Sequence, residues 1–324
     1  MVVTEIRNIP YFDGHCDTIY ECMGKGRSLR ENSGHVDLMR GQRYGRRAQF
    51  FALFDNVREL PEGTAWTKLC QMHDWFCAQA AENADVMALC RTGAEVDAAA
   101  AQHKTAALLS IEGADLLDCD MAHLETAASW GVRLLNPVWN NANRLSGSNA
   151  QQPEQGLTAY GRDFLQRMEE LSIYVDVSHL SDAGFDDVWE GTTKPFVASH
   201  SNAREVCPSL RNMTDDRIRK LAERGGCMGL NYYDKFLVDG GSNQPLQLLE
   251  AIVRHARHIV KAGGMEVLGL GSDLDGIPVN AALPGAEAMP LLWDTLKKAG
   301  FSERELDGIF WKNVMRVYRE TLPE

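Results

Sequence analysis

Six residues of the kinds that bind metal ions or move protons stand where short apolar runs end. His15 and Asp17 lie two apart in Asp13-Gly14-His15-Cys16-Asp17. On an extended chain such a pair points to one side, so an HxD at a strand end can grip one cation. Glu112 closes Ala106-Ala107-Leu108-Leu109-Ser110-Ile111 and is followed by Gly113. Packing does not explain a carboxylate there, because burying it alone costs on the order of several kcal/mol unless a cation pairs with it. His179 follows Val175-Asp176-Val177-Ser178, and His200 follows Val197-Ala198-Ser199. A hydrogen-bonded structural histidine accounts for either one alone. Asp273, in Gly271-Ser272-Asp273-Leu274-Asp275-Gly276, adds a further carboxylate. Cys16 falls between two of these groups but faces the other way, as a core residue.

The elements that must carry these residues alternate along the chain. Eight β-rich runs are read at 9–13, 47–54, 105–111, 132–138, 173–178, 195–199, 227–231 and 267–272. Several are continuously apolar, as strands buried on both faces of a parallel sheet are. Helical patterns lie between them, among them 64–90, 157–170, 215–223 and 246–262, and Ser302 with Glu305 forms a capping box before the last helix. Strand–helix alternation repeated eight times predicts one (β/α)8 TIM-type barrel spanning residues 1–324 as a single domain. A doubly wound open sheet would place a Gly-rich phosphate loop after the first strand, and that turn carries none. The chemical residues end the first, third, fifth, sixth and eighth runs, which is the C-terminal face where such barrels keep their active sites. Two histidines from separate strands, one HxD pair and one shared glutamate suffice for a binuclear site with metals ~3.5–4 Å apart. Imidazole and carboxylate without thiolate suit Zn2+ and admit manganese, cobalt or iron.

Charge and composition narrow the partners. The net charge of −12 argues against nucleic acid, which requires a basic patch. The basic cluster between Arg40 and Arg47 is broken by Gln42, Tyr44 and Gly45 and is expected to be a solvated face. Segment 1–10 holds no apolar core of signal-peptide length, no run approaches the ~20 residues that span a bilayer, and the tail around Tyr318-Arg319-Glu320 is too polar for a lipid-anchor signal. The eight cysteines are scattered without a CxxC pair, which suits reduced thiols in a cytoplasm.

A set of short motifs in a fixed order then carries a resemblance. These are His15-x-Asp17 after Asp13-Gly14, Ser110-Ile111-Glu112-Gly113, Val177-Ser178-His179, Ser199-His200-Ser201, and Arg211-Asn212 followed by Asp215-Asp216. Gly271-Ser272-Asp273-Leu274-Asp275-Gly276 and Asn313-Val314-Met315-Arg316-Val317 complete the set. Together, from about residue 9 to residue 318, they resemble the membrane (renal) dipeptidase family of zinc metallopeptidases. The resemblance implies that His15 and Asp17 hold one zinc, that His179 and His200 hold the other, and that Glu112 bridges them. It implies Asp273 as the residue that takes a proton from the attacking water and passes it to the leaving amine. It also implies Arg211 as the group that binds the terminal carboxylate of a small peptide substrate, and Tyr233 as an aromatic beside the site. A homodimer is the assembly the family suggests.

Two departures from the family pattern matter. Mammalian members end the fourth strand in a histidine that touches the substrate carbonyl, whereas Gly131-Val132-Arg133-Leu134-Leu135-Asn136-Pro137-Val138-Trp139 puts Trp139 there, followed by Asn140 and Asn141. A tryptophan donates one N–H and carries no charge, so either Asn140, its neighbour Asn141 or Arg144 supplies the missing polarity, or the substrate differs from an ordinary dipeptide. The absence of a leader and anchor signal in this sequence argues against membrane attachment. The principal expectation is hydrolysis of dipeptides, with tolerance of a D-residue on the C-terminal side. Another amide or ester hydrolase on the same scaffold is the second reading; many such barrels bridge their metals with a carboxylated lysine on strand four, which this strand lacks. A metal-binding protein without catalysis is the third, and Asp273, which the cations do not need, speaks against it. The loops after the second, fourth and seventh runs carry no legible motif.

Overall fold

A computed structural model describes residues 9–321 of the chain. Segment 1–8 and residues 322–324 lie outside the described residues, and with them most of the opening segment on which the absence of a leader was read. Among the described residues nine parallel strands form: β1 Pro10–Asp13, β2 Arg46–Leu53, β3 Met87–Leu89, β4 Thr105–Glu112, β5 Val132–Asn136, β6 Tyr174–Val175, β7 Val197–Ala198, β8 Cys227–Leu230 and β9 Leu268–Leu270. Eight of them run β6-β5-β4-β2-β1-β9-β8-β7 around the sheet. The ring closes between β6 and β7 through a parallel bridge from Asp176 to Val197, where Val177 N–H donates to the Val197 carbonyl at 2.8 Å. Each strand thus lies beside its predecessor in the chain, the arrangement of a (β/α)8 barrel.

β3 is the element the sequence pattern did not separate. The helix expected over 64–90 ends at Glu82, where Asn83 Nδ2 donates to the Gln79 carbonyl at 2.8 Å, and Met87–Leu89 then pairs with the first residues of β4, ahead of the stretch that β5 takes. Its apolar run continues the helical periodicity closely enough to hide the break. The basic cluster also differs from expectation. Arg43 is exposed, but Arg47 is 2% exposed, donates to the Asp37 carbonyl and to Gln49, and lies over the Tyr11 ring. Arg40 pairs with Asp37 and Glu287. Those guanidiniums tie the barrel's outer layer together, Arg47 through buried acceptors and Arg40 through buried Asp37 and the more exposed Glu287.

The barrel's lower half is filled by Phe12, Phe50, Leu108, Leu134 and Tyr174, and the closing helix Asn313–Thr321 packs Tyr318 against three of these rings at 4.8 to 6.0 Å. The capping box of Ser302 and Glu305 starts the segment that leads there. On β4, Ala106, Leu108, Ser110 and Glu112 share a face by period two, so the stack that begins as core ends in a carboxylate at the mouth. The walls are drawn tightly together where β7, β8 and β9 meet. A Cβ added at Gly271 would lie 1.7 Å from the Ser199 carbonyl oxygen, and one at Gly229 would lie 2.1 Å from it. That close approach brings the residues just beyond these strands, His200, Asn231 and Asp273, to one place.

Candidate metal centre and substrate pocket

The five proposed ligands converge at the C-terminal mouth, each 7% exposed or less. Glu112 stands at their centre with its two oxygens facing different partners. Oε2 lies 3.4 Å from His15 Nε2, which is itself 3.4 Å from Asp17 Oδ2. Oε1 lies 2.8 Å from His179 Nε2 and 3.4 Å from His200 Nε2. Two donor triads therefore share one carboxylate: His15 with Asp17 and Glu112, and Glu112 with His179 and His200. His15, His200 and Asp273 form a third group of converging ligand atoms.

The residues fit divalent cations on their own chemistry. Both ring nitrogens of His15 and Oδ1 of Asp17 are buried with no hydrogen-bond partner among the described residues. Buried polar atoms are ordinarily satisfied, and a group of orphans that are all metal donors points to an ion. The charges agree. Burial and the Glu112 charge push the Asp17 carboxyl up to about 7. Burial would push Glu112 up as well, but His15 and the bonds from His179 and His200 hold it well below the usual range. Burial and His15 keep the His200 imidazole well below its ordinary value, and burial with Arg211 pushes His179 down to about 4. Both histidines are thus neutral at pH 7, the form that ligates.

A second layer orients these groups. His179 Nδ1 faces Asn140 Oδ1 at 3.0 Å and His200 Nδ1 faces Ser199 Oγ at 2.6 Å, which orients each ring with its Nε2 toward Glu112. Asp176, buried, accepts from the backbone N–H groups of Ser178 and Ser199 and so fixes both histidine-bearing segments. Asp13 does the same for the opposite side, accepting from Tyr11 Oη and from Ser272 N and Oγ. His179 and Asp273 have left-handed φ values of 73° and 62°, uncommon for residues with a side chain and concentrated at functional sites.

Asp273 has the setting of a proton carrier. Its Oδ1 is 4.0 Å from His15 Nε2, and its Oδ2 accepts from Asn231 Nδ2 at 2.8 Å. Burial raises it to about 6, with Glu112 adding to the shift and His15 and Arg211 opposing it. Arg211 is buried rather than paired with Asp215 or Asp216, which bind His258 and Lys220 instead. Its Nη1 donates to Ser201 Oγ at 3.0 Å, while Nε and Nη2 have no partner among the described residues.

These groups line one pocket of about 220 Å³, with Asp17, Glu112, His179, Asp273 and Arg211 at its polar surface and Phe54, Trp139, Tyr233, Phe236, Ile277 and Pro278 as its walls. Asn140 also borders it. The expected substrate-side residues Arg211, Tyr233, Trp139 and Asn140 are thus brought together with the metal ligands. Arg144 is not: it is exposed and stacks over Tyr160 at 3.7 Å. Asn231, Phe54 and Phe236 are the additions. Asn231 carried a signal in its place directly after an apolar strand; the two phenylalanines look like core residues until the loops are closed.

The profile of the membrane dipeptidase family, peptidase family M19, matches residues 4–322. The chain belongs to this family. Its site is therefore that of a metallo-dipeptidase, a hydrolase that uses divalent metal. An uncharacterized protein in the pqqA 5′ region of Klebsiella pneumoniae is 35% identical over 245 residues, covering 74% of this chain and 90% of its own. Among solved structures, the M19 metallo peptidase dipeptidase AC superposes with a TM-score of 0.89 at 28% identity, covering 97% of this chain and 99% of its own. A metallo peptidase from Rhodobacter sphaeroides, liganded with a phosphinate mimic of the dipeptide L-Ala-D-Ala, gives 0.88 at 27% identity with the same coverage. Asn140, facing His179 Nδ1, is the polar side chain beside Trp139 at that corner of the pocket.

Proposed function

We propose that this M19 peptidase hydrolyses dipeptides bearing a free C-terminal carboxylate, with a D-residue accepted on that side, using two Zn2+ ions. The observation that carries the reading is the Arg211 guanidinium, buried and open toward the pocket, with two donors unused. A planar fork of donors with nothing to bind is suited to a two-oxygen acceptor, and leaving it empty is costly. The mimic of L-Ala-D-Ala held by the Rhodobacter neighbour supports a D-residue beside the clamp.

His15 with Asp17 and His179 with His200 would hold the two ions and Glu112 would join them, a donor set of imidazole and carboxylate that suits zinc. Bound there, the pair supplies an activated water at neutral pH and polarisation of the scissile carbonyl. Arg211 orients the substrate by its carboxylate, so that the amide lies over the floor of the pocket. Asp273 Oδ1 receives a proton from the water as its oxygen bonds to the carbonyl carbon. It then delivers that proton to the amine nitrogen as the C–N bond breaks. Asn231 holds Oδ2 so that Oδ1 stays turned inward. All eight cysteines are unpaired thiols, which supports the cytoplasm as the place of action. No helix among the described residues is long and apolar enough to cross a membrane.

The clamp is tested by kinetics on Ala-Ala, Ala-Ala-amide and Ala-Ala-Ala. A third residue moves the carboxylate ~3.3–3.6 Å further out and breaks the paired contact. The tripeptide and the amide should therefore lose roughly 10- to 150-fold in kcat/KM, and Arg211→Ala should lose as much on Ala-Ala while changing little on the amide. A wild-type protein that cleaves the amide as well as the acid has no such clamp, and a broader amide hydrolase takes its place.

A further inference from the structure

The pocket wall opposite Arg211 is aromatic, and we propose that it selects dipeptides with an aromatic or large apolar residue on the amino side of the scissile bond. This rests on the reading of Arg211 as the carboxylate clamp.

Strand order sets the geometry. Trp139 follows β5 and Phe54 follows β2, the two neighbours of β4 in the ring. Arg211 follows β7, which lies directly across from β2, and Tyr233 and Phe236 follow β8, which lies across from β4. Arg211 lies 5.8 Å from the Phe236 ring on that side. The ligand cluster around Glu112 lies between the two sides. A dipeptide with its carboxylate at Arg211 and its amide over that cluster therefore carries its amino-side residue toward Trp139 and Phe54.

Those two rings belong to a continuous strip. Trp139 lies 6.4 Å from the His179 ring and 5.0 Å from Phe54, inclined at 56°. Phe54 in turn meets Tyr20 edge-on at 5.7 Å, and Tyr20 is 38% exposed. The strip thus leads from the ligands to the surface. Aromatic faces inclined at these distances accept another ring or a branched aliphatic chain. The charged groups bordering the pocket are Asp17, Glu112, Asp273 and Arg211, all engaged at the floor or the clamp. A charged amino-side side chain would lose its water between the Trp139 and Phe54 rings.

The test is kcat/KM for the series X-Ala and Ala-X with X = Phe, Leu, Gly, Asp and Lys, on zinc-loaded wild type, Trp139→Ala and Phe54→Ala. Phe-Ala and Leu-Ala should exceed Gly-Ala by about 10- to 100-fold, with Asp-Ala and Lys-Ala below Gly-Ala. The Phe-Ala to Gly-Ala ratio should fall to within about threefold of unity in Trp139→Ala, and should fall in Phe54→Ala as well. The second substitution keeps the test decisive should the first fail to fold. A flat X-Ala profile in a wild type that cleaves Ala-Ala overturns the proposal while the clamp stands, as does a ratio unmoved by either substitution. A preference that appears in Ala-X and is lost in Trp139→Ala reverses the orientation and also overturns it. No turnover on any dipeptide overturns the clamp reading beneath it.

Discussion

Asp273→Asn should keep both metal ions and lose about 10²–10⁴-fold in kcat, the contribution that a positioned proton carrier makes. The amide has nearly the shape of the carboxylate and can still accept from Asn231 Nδ2, so the loop after β9 keeps its left-handed turn at this residue. It cannot take a proton from the attacking water. Burial pushes the Asp273 carboxyl up to about 6, against the lowering effect of His15 and with the Glu112 charge adding to it. The measurement is turnover beside elemental analysis of the same preparation. Full activity with two metals bound would remove Asp273 from the reaction. Asp275 would not replace it, because its side chain is 1% exposed and is already held by Thr18 Oγ1 at 2.7 Å and His35 N at 2.7 Å.

His179→Ala and His200→Ala should each remove one metal and leave the other. The division follows from Glu112, whose Oε1 faces these two histidines while its Oε2 faces His15 and Asp17. Losing either imidazole leaves the Oε1 side with too few donors for a transition metal, whereas the His15 side keeps its set. Activity should drop by roughly 10²–10³-fold or more, since a bound cation supplies several kcal/mol of charge stabilisation in the transition state. Metal content near one equivalent with that loss is the expected pair of readings. Two equivalents with wild-type turnover would place the second metal elsewhere.

The barrel and the cluster of candidate ligands were legible because each of these residues interrupts an apolar run. Glu112 after Ile111, His179 after Val177-Ser178 and His200 after Val197-Ala198-Ser199 all break the pattern of a strand buried on both faces, and packing offers no reason for them. The break between the helix ending at Glu82 and β3 was not legible, because Val86-Met87-Ala88-Leu89 prolongs an apolar periodicity that either structure could use. Arg47 was misread for a different reason. Its acceptors are the Asp37 carbonyl and Gln49 on folded segments, and a run of arginines gives no sign of them. For Arg211 the local sequence offers Asp215 and Asp216 as partners, and only the resemblance pointed it at a substrate. Only the fold turns the guanidinium inward to Ser201 and pairs those aspartates with His258 and Lys220. Phe54 and Phe236 were illegible as pocket walls because an apolar side chain on a loop looks the same whether it closes a core or lines a cavity.

The account stands on two cations joined by Glu112 and acting on a dipeptide. Its most direct test is a titration of the chelator-treated protein with Zn2+ while L-Ala-D-Ala hydrolysis is followed. Turnover should stay low through the first equivalent, rise through the second, and level off at two per chain. A plateau already reached at one equivalent, or no hydrolysis at any loading, would contradict it.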